Sequence, residues 1–249
     1  MEAPDPGLWE ARKREAWERL WEDLEIGYLD QDIVDILVEI FLRPKSFTTS
    51  SCSGRIVVMD SVFPWAKEET MIVFKKHSPI TLEELLRVVR EPRAEMLWLS
   101  VQGPIIHVET LDLEEAFTVL EVARRAGFKH SGILASTRKG VLVELRTGVR
   151  VNVPLGDVDS LWVREDKLRD LVELANRALL EAKGRLDRLR VELRRARPER
   201  LWKPPTLPPA AAHYLRALGL EPSTLKPGAG GEGFEGLGYG RRETLPGVR

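Results

Sequence analysis

Large apolar residues at Trp9, Trp17, Leu20, Trp21 and Leu24 fall on one helical face and predict an amphipathic helix over 8–24. Gly27 and the polar segment LDQD interrupt it. Asp30 is then suited to cap a second helix with the stripe Ile33, Ile36, Leu37, Ile40 and Phe41, which Pro44 ends. SFTTSS and RIVVMD read as two strands around a polar turn at 51–54, and ETMIVFKKH as a third. Thr81 caps the next helix, with Glu83 and Glu84 near its positive end and Pro92 as its stop. EMLWLSVQG and PIIHVET are strand-like, and LDLEEAFTVLEVARRAGF is a helix closed by Gly127. SGILAST, GVLVELRT and VRVNVPL follow as short strands, and a long helix over about 164–197 completes the set.

Hairpin-length connections dominate and βαβ spacings are few. The fold class expected is therefore α+β: a mixed, largely antiparallel sheet flanked by helices, not a doubly wound nucleotide-binding fold. Each half runs helix, Ser/Thr-bearing strand, Gly-containing turn, β-branched strand, which points to an internal duplication. Beyond Pro198 the composition changes. KPPTLPP reads as a stiff linker, AAAHYLRALGL as one short helix, and the rest as a Gly-rich tail. The expected division is a main domain at 1–197 and an extension at 198–249.

With 249 residues, 43% of them hydrophobic, the chain can bury a core without staples. A single cysteine excludes a disulfide framework and a cysteine-built zinc centre, and favours a reducing interior. The N-terminus lacks an apolar leader and no run is long enough for a membrane span, so a soluble, cytoplasmic protein is expected. Net charge is −1, but residues 183–203 carry nine basic against three acidic side chains. That helix is either salt-bridged and solvated or, with its charges on one face, tracks phosphates. Gly228, Gly230 and Gly233 match a dinucleotide fingerprint formally, yet a proline-rich linker precedes them and no helix signal follows. His77, His107, His130 and His213 are too scattered for sequence-local ligation, and no metal is expected.

The densest chemistry lies in SFTTSSCSGRIVVMD, residues 46–60. Backbone N–H groups of a turn at 51–54, with side-chain hydroxyls around them, suit a carboxylate, a ribose diol or a phosphate. Gly54 permits close approach, and Arg55 offers two parallel donors that lysine lacks. The plainer alternative is a serine-rich hairpin whose hydroxyls satisfy their own backbone.

Thr49-Ser50-Ser51-Cys52-Ser53-Gly54-Arg55 resembles the wybutosine-synthesis tRNA methyltransferase family. Pro104-Ile105-Ile106-His107-Val108, Ala126-Gly127-Phe128 before Ser131-Gly132-Ile133, Val153-Pro154-Leu155 and Leu174-Ala175-Asn176 extend the likeness over about 16–195. This chain has Met71-Ile72-Val73-Phe74 where the family often carries a tryptophan, and Gln102 where an acidic residue is frequent. The resemblance implies methyl transfer from S-adenosylmethionine to a ring nitrogen, N4, of a tricyclic guanosine derivative 3′ of the anticodon of phenylalanine tRNA. On that reading His77 and Ser51 are the catalytic candidates, and Thr49, Ser50, Ser53, Arg55, Ser131 and Gly132 bind the donor. Such a transfer is an in-line displacement needing no protein nucleophile, so Cys52 is read as packing, with a catalytic thiol as the alternative. His77 and His107 could each take the acceptor's proton; polar neighbours favour His77, while Ile106 and Val108 make His107 read as packed. A pseudo-twofold between the halves would bring Ser131 and Gly132 to the same cleft as the opening turn.

Lys75, Lys76, Arg124, Arg125, Lys129, Arg138, Lys139 and the basic helix are candidate contacts to the anticodon loop. Phe47, Phe74 and Trp98 are candidate walls for the extruded base. A monomer is favoured. The rival from another class is a non-catalytic RNA- or protein-binding module whose Ser/Arg turn holds a phosphate.

Overall fold

A computed structural model describes residues 4–66 and 70–225. Among them six helices flank two four-stranded antiparallel sheets, the α+β class expected. The helices are α1 (Pro6–Glu25), α2 (Val34–Phe41), α3 (Leu82–Val89), α4 (Leu113–Arg125), α5 (Leu168–Arg195) and α6 (Pro209–Ala217). The strands are β1 (Ser46–Cys52), β2 (Arg55–Asp60), β3 (Met71–Lys76), β4 (Leu97–Gln102), β5 (Ile105–Thr110), β6 (Gly132–Thr137), β7 (Gly140–Arg146) and β8 (Arg150–Gly156). One sheet has the order β1-β5-β7-β6, the other β3-β2-β4-β8.

Local signals place most boundaries. Thr81 and Glu84 form a reciprocal capping box on α3, so the helix starts where the sequence predicts. Gly127, at φ +91°, closes α4, with the Phe128 N–H donating to the Ala123 carbonyl.

The polar turn at 51–54 is not a hairpin. β1 and β2 lie in different sheets, and the chain bends between them at Ser53 and Gly54. β4 and β5 part likewise at Gly103 and Pro104, and β7 and β8 at 147–149. The bends stand side by side: Cys52 faces Ile105, which faces Arg146, while across the bend Arg55 faces Gln102, which faces Arg150. Gly54 has φ +94°, and a Cβ there would meet the Gln102 carbonyl oxygen at 3.0 Å, so glycine is what lets adjacent bends close up. The shared rhythm of the two halves does not extend to their pairing, because β6 and β7 do form a hairpin.

One core joins α1, α2, α4 and α6 to the first sheet; a smaller one joins α3 to the second. α5 spans both: Val172, Ala175 and Leu179 enter the small core, and Leu186, Leu189 and Leu193 the large one. Between these sets the Ala182 methyl lies 3.4 Å from where a Gly103 side chain would begin, so a small residue marks the helix's passage over the bend. Packing continues past the expected boundary at Pro198. Trp202, Ala211, Leu215, Leu218 and Leu225 are buried in the large core. The Trp202 N–H donates to the Leu42 carbonyl at 2.8 Å, and Trp17 Nε1 to the Thr206 carbonyl at 3.0 Å. The Gly-rich tail and its formal fingerprint lie outside the described residues. Among the described residues no helix is long and apolar enough to cross a membrane.

Candidate active site at the bend of the sheets

Ile56, Val58, Ile106 and Val108 point into the cores, so strand alternation turns Arg55, Gln102, Ile105, His107, Arg146 and Arg150 to the opposite face at the bend. Arg55 Nε donates to Gln102 Oε1 at 2.9 Å, and its other guanidinium N–H groups meet no acceptor among the described residues. The pairing of Ile56 with Lys76 places His77, one step on, alongside Arg55.

Asp30 organises the corner. It precedes a short helical turn (Gln31–Ile33), but its side chain makes no capping bond there. Oδ2 accepts from the Ser53 N–H at 2.7 Å, and Oδ1 lies 2.9 Å from His77 Nδ1. A carboxylate at Nδ1 holds the proton on that nitrogen and leaves the Nε2 lone pair free to accept. The His77 side chain keeps 30% of its surface exposed, so a ligand can reach it. Cys52 Sγ is 4.0 Å from the same Nδ1. Burial pushes the Cys52 thiol up, with Asp30 adding to the effect against the Gly54 backbone, Arg55 and Lys183. A thiol so placed is protonated near neutrality and is no activated nucleophile. Ser53 is fully buried; its hydroxyl accepts from Lys183 Nζ at 2.8 Å, and Lys183 also pairs with Asp32.

Beside this corner runs a groove of about 340 Å³ between α1, the α1–α2 loop and the free edge of β1. Thr48, Thr49, Ser50 and Ser51 form its hydroxyl-bearing wall, Arg19 and Asp23 add charge, and Leu29, Leu37 and Phe47 are apolar. Ser50 Oγ is 2.7 Å from His107 Nδ1, and His107 Nε2 is 3.2 Å from Glu144 Oε2. His107 is thus a part-buried, hydrogen-bonded cross-strand link that sets the Ser50 hydroxyl.

Thr49, Ser50 and Ser51 line the groove, while His77 and Arg55 stand at the bend, with Ser53 buried behind it. Ser131 and Gly132 do not join them. Gly132 shares a register row with Ser50 but lies three strands away, about 14 Å at ordinary strand spacing. The buried Ser131 hydroxyl donates to the Phe128 carbonyl at 2.7 Å and accepts from the Arg146 N–H at 2.9 Å, a turn-forming role.

The basic helix is about half neutralised by the region around α2. Lys183, Arg190 and Arg197 pair with Asp32, Asp35 and Glu39 around α2, partners that a count along α5 alone omits. Lys76 and Arg125 are likewise paired, with Glu84 and Glu192, whereas Lys75, Arg124, Lys129, Arg138 and Arg150 meet no acceptor among the described residues. Phe47 is core, and Trp98 Nε1 donates to the Ser61 carbonyl at 3.1 Å. Asp30, Gln102, Arg146 and Arg150 were not legible in sequence as site residues, and neither were the exposed Tyr28 or the stacked pair Phe63 and Trp65.

The pattern of the family Methyltransferase TYW3 matches residues 11–195. A protein of Saccharolobus solfataricus named tRNA(Phe) 7-((3-amino-3-carboxypropyl)-4-demethylwyosine(37)-N(4))-methyltransferase is 42% identical over 184 residues, covering 74% of this chain and 88% of its own. A Thermococcus kodakarensis protein of the same name, numbered 1, is 40% identical over 73% of this chain and 92% of its own. The solved structure of the PH1069 protein from Pyrococcus horikoshii superposes with a TM-score of 0.71 at 35% identity, covering 76% of this chain and 97% of that one. The chain belongs to the methyltransferase TYW3 family.

Proposed function

We propose that this protein methylates N4 of the demethylwyosine derivative at position 37 of phenylalanine tRNA, with S-adenosylmethionine as donor. The observation that carries this reading is the imidazole of His77, held by Asp30 at Nδ1 with Nε2 free, beside Arg55 and a hydroxyl-lined groove.

The groove has the size of a small-molecule site, which runs from about 300 Å³ upward, and a lining mostly of hydroxyl-bearing and charged side chains. S-adenosylmethionine supplies a methyl group on a sulfonium, already activated for in-line displacement. Thr49 and Ser50 offer hydroxyls to its polar parts, and Ala16, Tyr28 and Leu29 an apolar surface for its base. The free guanidinium edge of Arg55 takes a carboxylate or phosphate bidentately. Ser51 orients the acceptor edge, and His77 Nε2 receives the proton that the acceptor nitrogen gives up. Ser53 acts from behind, through Asp30 and Lys183. The unpaired cations Lys75, Arg124, Lys129 and Arg138 are the proposed contacts to the tRNA backbone. The protein is proposed to act as a soluble monomer in the cytoplasm.

Two assays test this. S-adenosylmethionine titrated calorimetrically, with and without tRNA, should bind wild type saturably. Radiolabelled methyl transfer to hypomodified phenylalanine tRNA should fall by about 10²–10⁴-fold in His77→Ala, the usual contribution of a general base, with donor affinity unchanged. Failure of the donor to bind under either condition would leave a non-catalytic RNA-binding module as the better description.

A further inference from the structure

We propose that Asp30, Cys52 and His77 form a three-ligand site for a borderline-soft divalent cation, Zn²⁺ foremost, and that metal bound there competes with methyl transfer. The competition rests on the catalytic reading of His77 above; the metal site does not.

The three ligand atoms, a carboxylate oxygen, the thiol sulfur and an imidazole nitrogen, all lie within 4.8 Å of one another. Their arrangement is convergent. In a nucleophile–base–acid relay the carboxylate and the nucleophile engage opposite nitrogens of the imidazole. Here Asp30 Oδ1, at 2.9 Å, and Cys52 Sγ, at 4.0 Å, both address Nδ1, and Nε2 is left out. Side chains gathered around one point are what a cation needs and what a relay cannot use.

Distances agree with the size of the ion. Tetrahedral Zn²⁺ with bonds of about 2.3 Å to sulfur and 2.0–2.2 Å to nitrogen and oxygen sets its ligand atoms roughly 3.4–3.6 Å apart. The separations of 2.9 and 4.0 Å bracket that span and the carboxylate–sulfur pair lies within 4.8 Å, so shifts of about an ångström or less close the site. Sulfur and imidazole donors exclude Mg²⁺ and Ca²⁺ as natural occupants and suit Zn²⁺ or Co²⁺. A carboxylate and a thiolate together balance the dication's charge. Asp30 is braced through its second oxygen by the Ser53 N–H at 2.7 Å, the kind of outer-shell bond that orients a metal ligand. All three residues are half-buried, which leaves a coordination position open toward solvent. Two cations oppose the ion: Arg55, whose Nε is held by Gln102, and Lys183, which is paired with Asp32.

The consequence for His77 follows from imidazole chemistry. A metal on Nδ1 displaces the proton that Asp30 holds there, and the neutral ring then carries its proton on Nε2. Nε2 becomes a donor and cannot accept from the substrate, so methyl transfer stops. The thiol loses its proton to the buffer on coordination.

The test uses untagged full-length protein and Co²⁺ as a spectroscopic stand-in for Zn²⁺, with neither donor nor tRNA present. Cys52 is the chain's one cysteine, so a thiolate-to-cobalt charge-transfer band reports this site alone. Wild type should develop the band to saturation at one metal per chain, and Zn²⁺ should bleach it. Cys52→Ser should lack the band, and His77→Gln should bind Co²⁺ at least about tenfold more weakly, the lower end of what losing an orienting or ligating group costs. No band in wild type, or an unchanged affinity in His77→Gln, overturns the site. His77→Gln leaves the bond between Asp30 and Ser53 in place, so the test does not depend on an Asp30 variant that might not fold. In methylation assays Zn²⁺ should inhibit wild type, a chelator should restore it, and Cys52→Ser should resist. Metal binding without inhibition overturns the competition. Metal binding by a protein that methylates under no condition would sustain the site while sinking the methyltransferase reading.

Discussion

At the scale of single residues, function turns on whether an atom is free or engaged. Arg55 was legible as a candidate through its two parallel donors beside Gly54 and through the family resemblance of its motif. The structure adds that Nε is taken by Gln102 and the outer edge is not. Lysine cannot divide itself that way, so Arg55→Lys should weaken donor or RNA binding nearly as much as Arg55→Ala. The loss of a charged hydrogen bond is worth about 1.5–3 kcal/mol, roughly ten- to 150-fold in calorimetric affinity. Recovery of wild-type affinity by lysine would show that only charge matters. Asp30 was not legible. Its position before an apolar stripe is the ordinary signature of a helix cap, and nothing in the sequence ties it to Ser53, 23 residues on, or to His77. Asp30→Asn keeps an oxygen for the Ser53 N–H but weakens the hold on His77. It should lower kcat by about 10–100-fold, as loss of an orienting partner does, with the KM for donor unchanged and the far-ultraviolet dichroism intact. A parallel rise in KM would instead mean that the whole corner had moved.

Among elements, apolar periodicity placed the six α-helices and eight strands among the described residues to within a few positions, but not their partnerships. A Ser/Gly turn between two strands reads the same whether the strands pair or part. What decides is the neighbouring chain: Gly103 and Gly148 stand at the adjacent bends, and only their joint presence signals a bend shared by several strands. Gly54→Ala forces a Cβ to within 3.0 Å of the Gln102 carbonyl at φ +94°, so it should cost about 1–3 kcal/mol by denaturant unfolding. It should also displace Ser53 and Arg55, which flank it, so donor binding should fall further than stability alone accounts for. Wild-type stability in that variant would mean the bend relaxes without glycine. The charges of α5 teach a related lesson. Arg190 binds Asp35 at 2.7 Å and Arg188 meets no acceptor among the described residues. Arg190→Ala should therefore destabilise the fold, by about 1.5–3 kcal/mol, and leave the salt dependence of tRNA binding unchanged. Replacing a cation proposed to contact phosphate, such as Lys75, should do the reverse, lowering the slope of log affinity against log salt by about one.

For the molecule as a whole, the question is where the folded unit ends. Proline-rich sequence after Pro198 predicts a linker because proline favours extended backbone, but extended backbone also packs. Trp202 lies against Trp17 and Phe41, with Lys13 Nζ 4.5 Å from its ring centroid, and its Nε1 bonds Glu10 at 3.1 Å. The family match stops at residue 195, whereas the large core extends through Leu225. Residues 198–225 therefore finish a core that would otherwise leave the tryptophan face of α1 exposed. Trp202→Ala should cost about 3–5 kcal/mol, as deletion of a buried aromatic does. For a protein of this size that is about 6–20 °C in melting temperature. A chain ending after Arg197 loses α6 as well and should melt lower still or aggregate, while a chain ending after Leu225 keeps the whole described core and should melt well above it. Coincident melting of all three chains would make 198–225 an appendage after all, and α1 would then have to be stable with Trp17 and Trp21 open to water. That is an exposed apolar patch of the kind soluble monomers rarely keep, which is why the shorter chain is expected to fail.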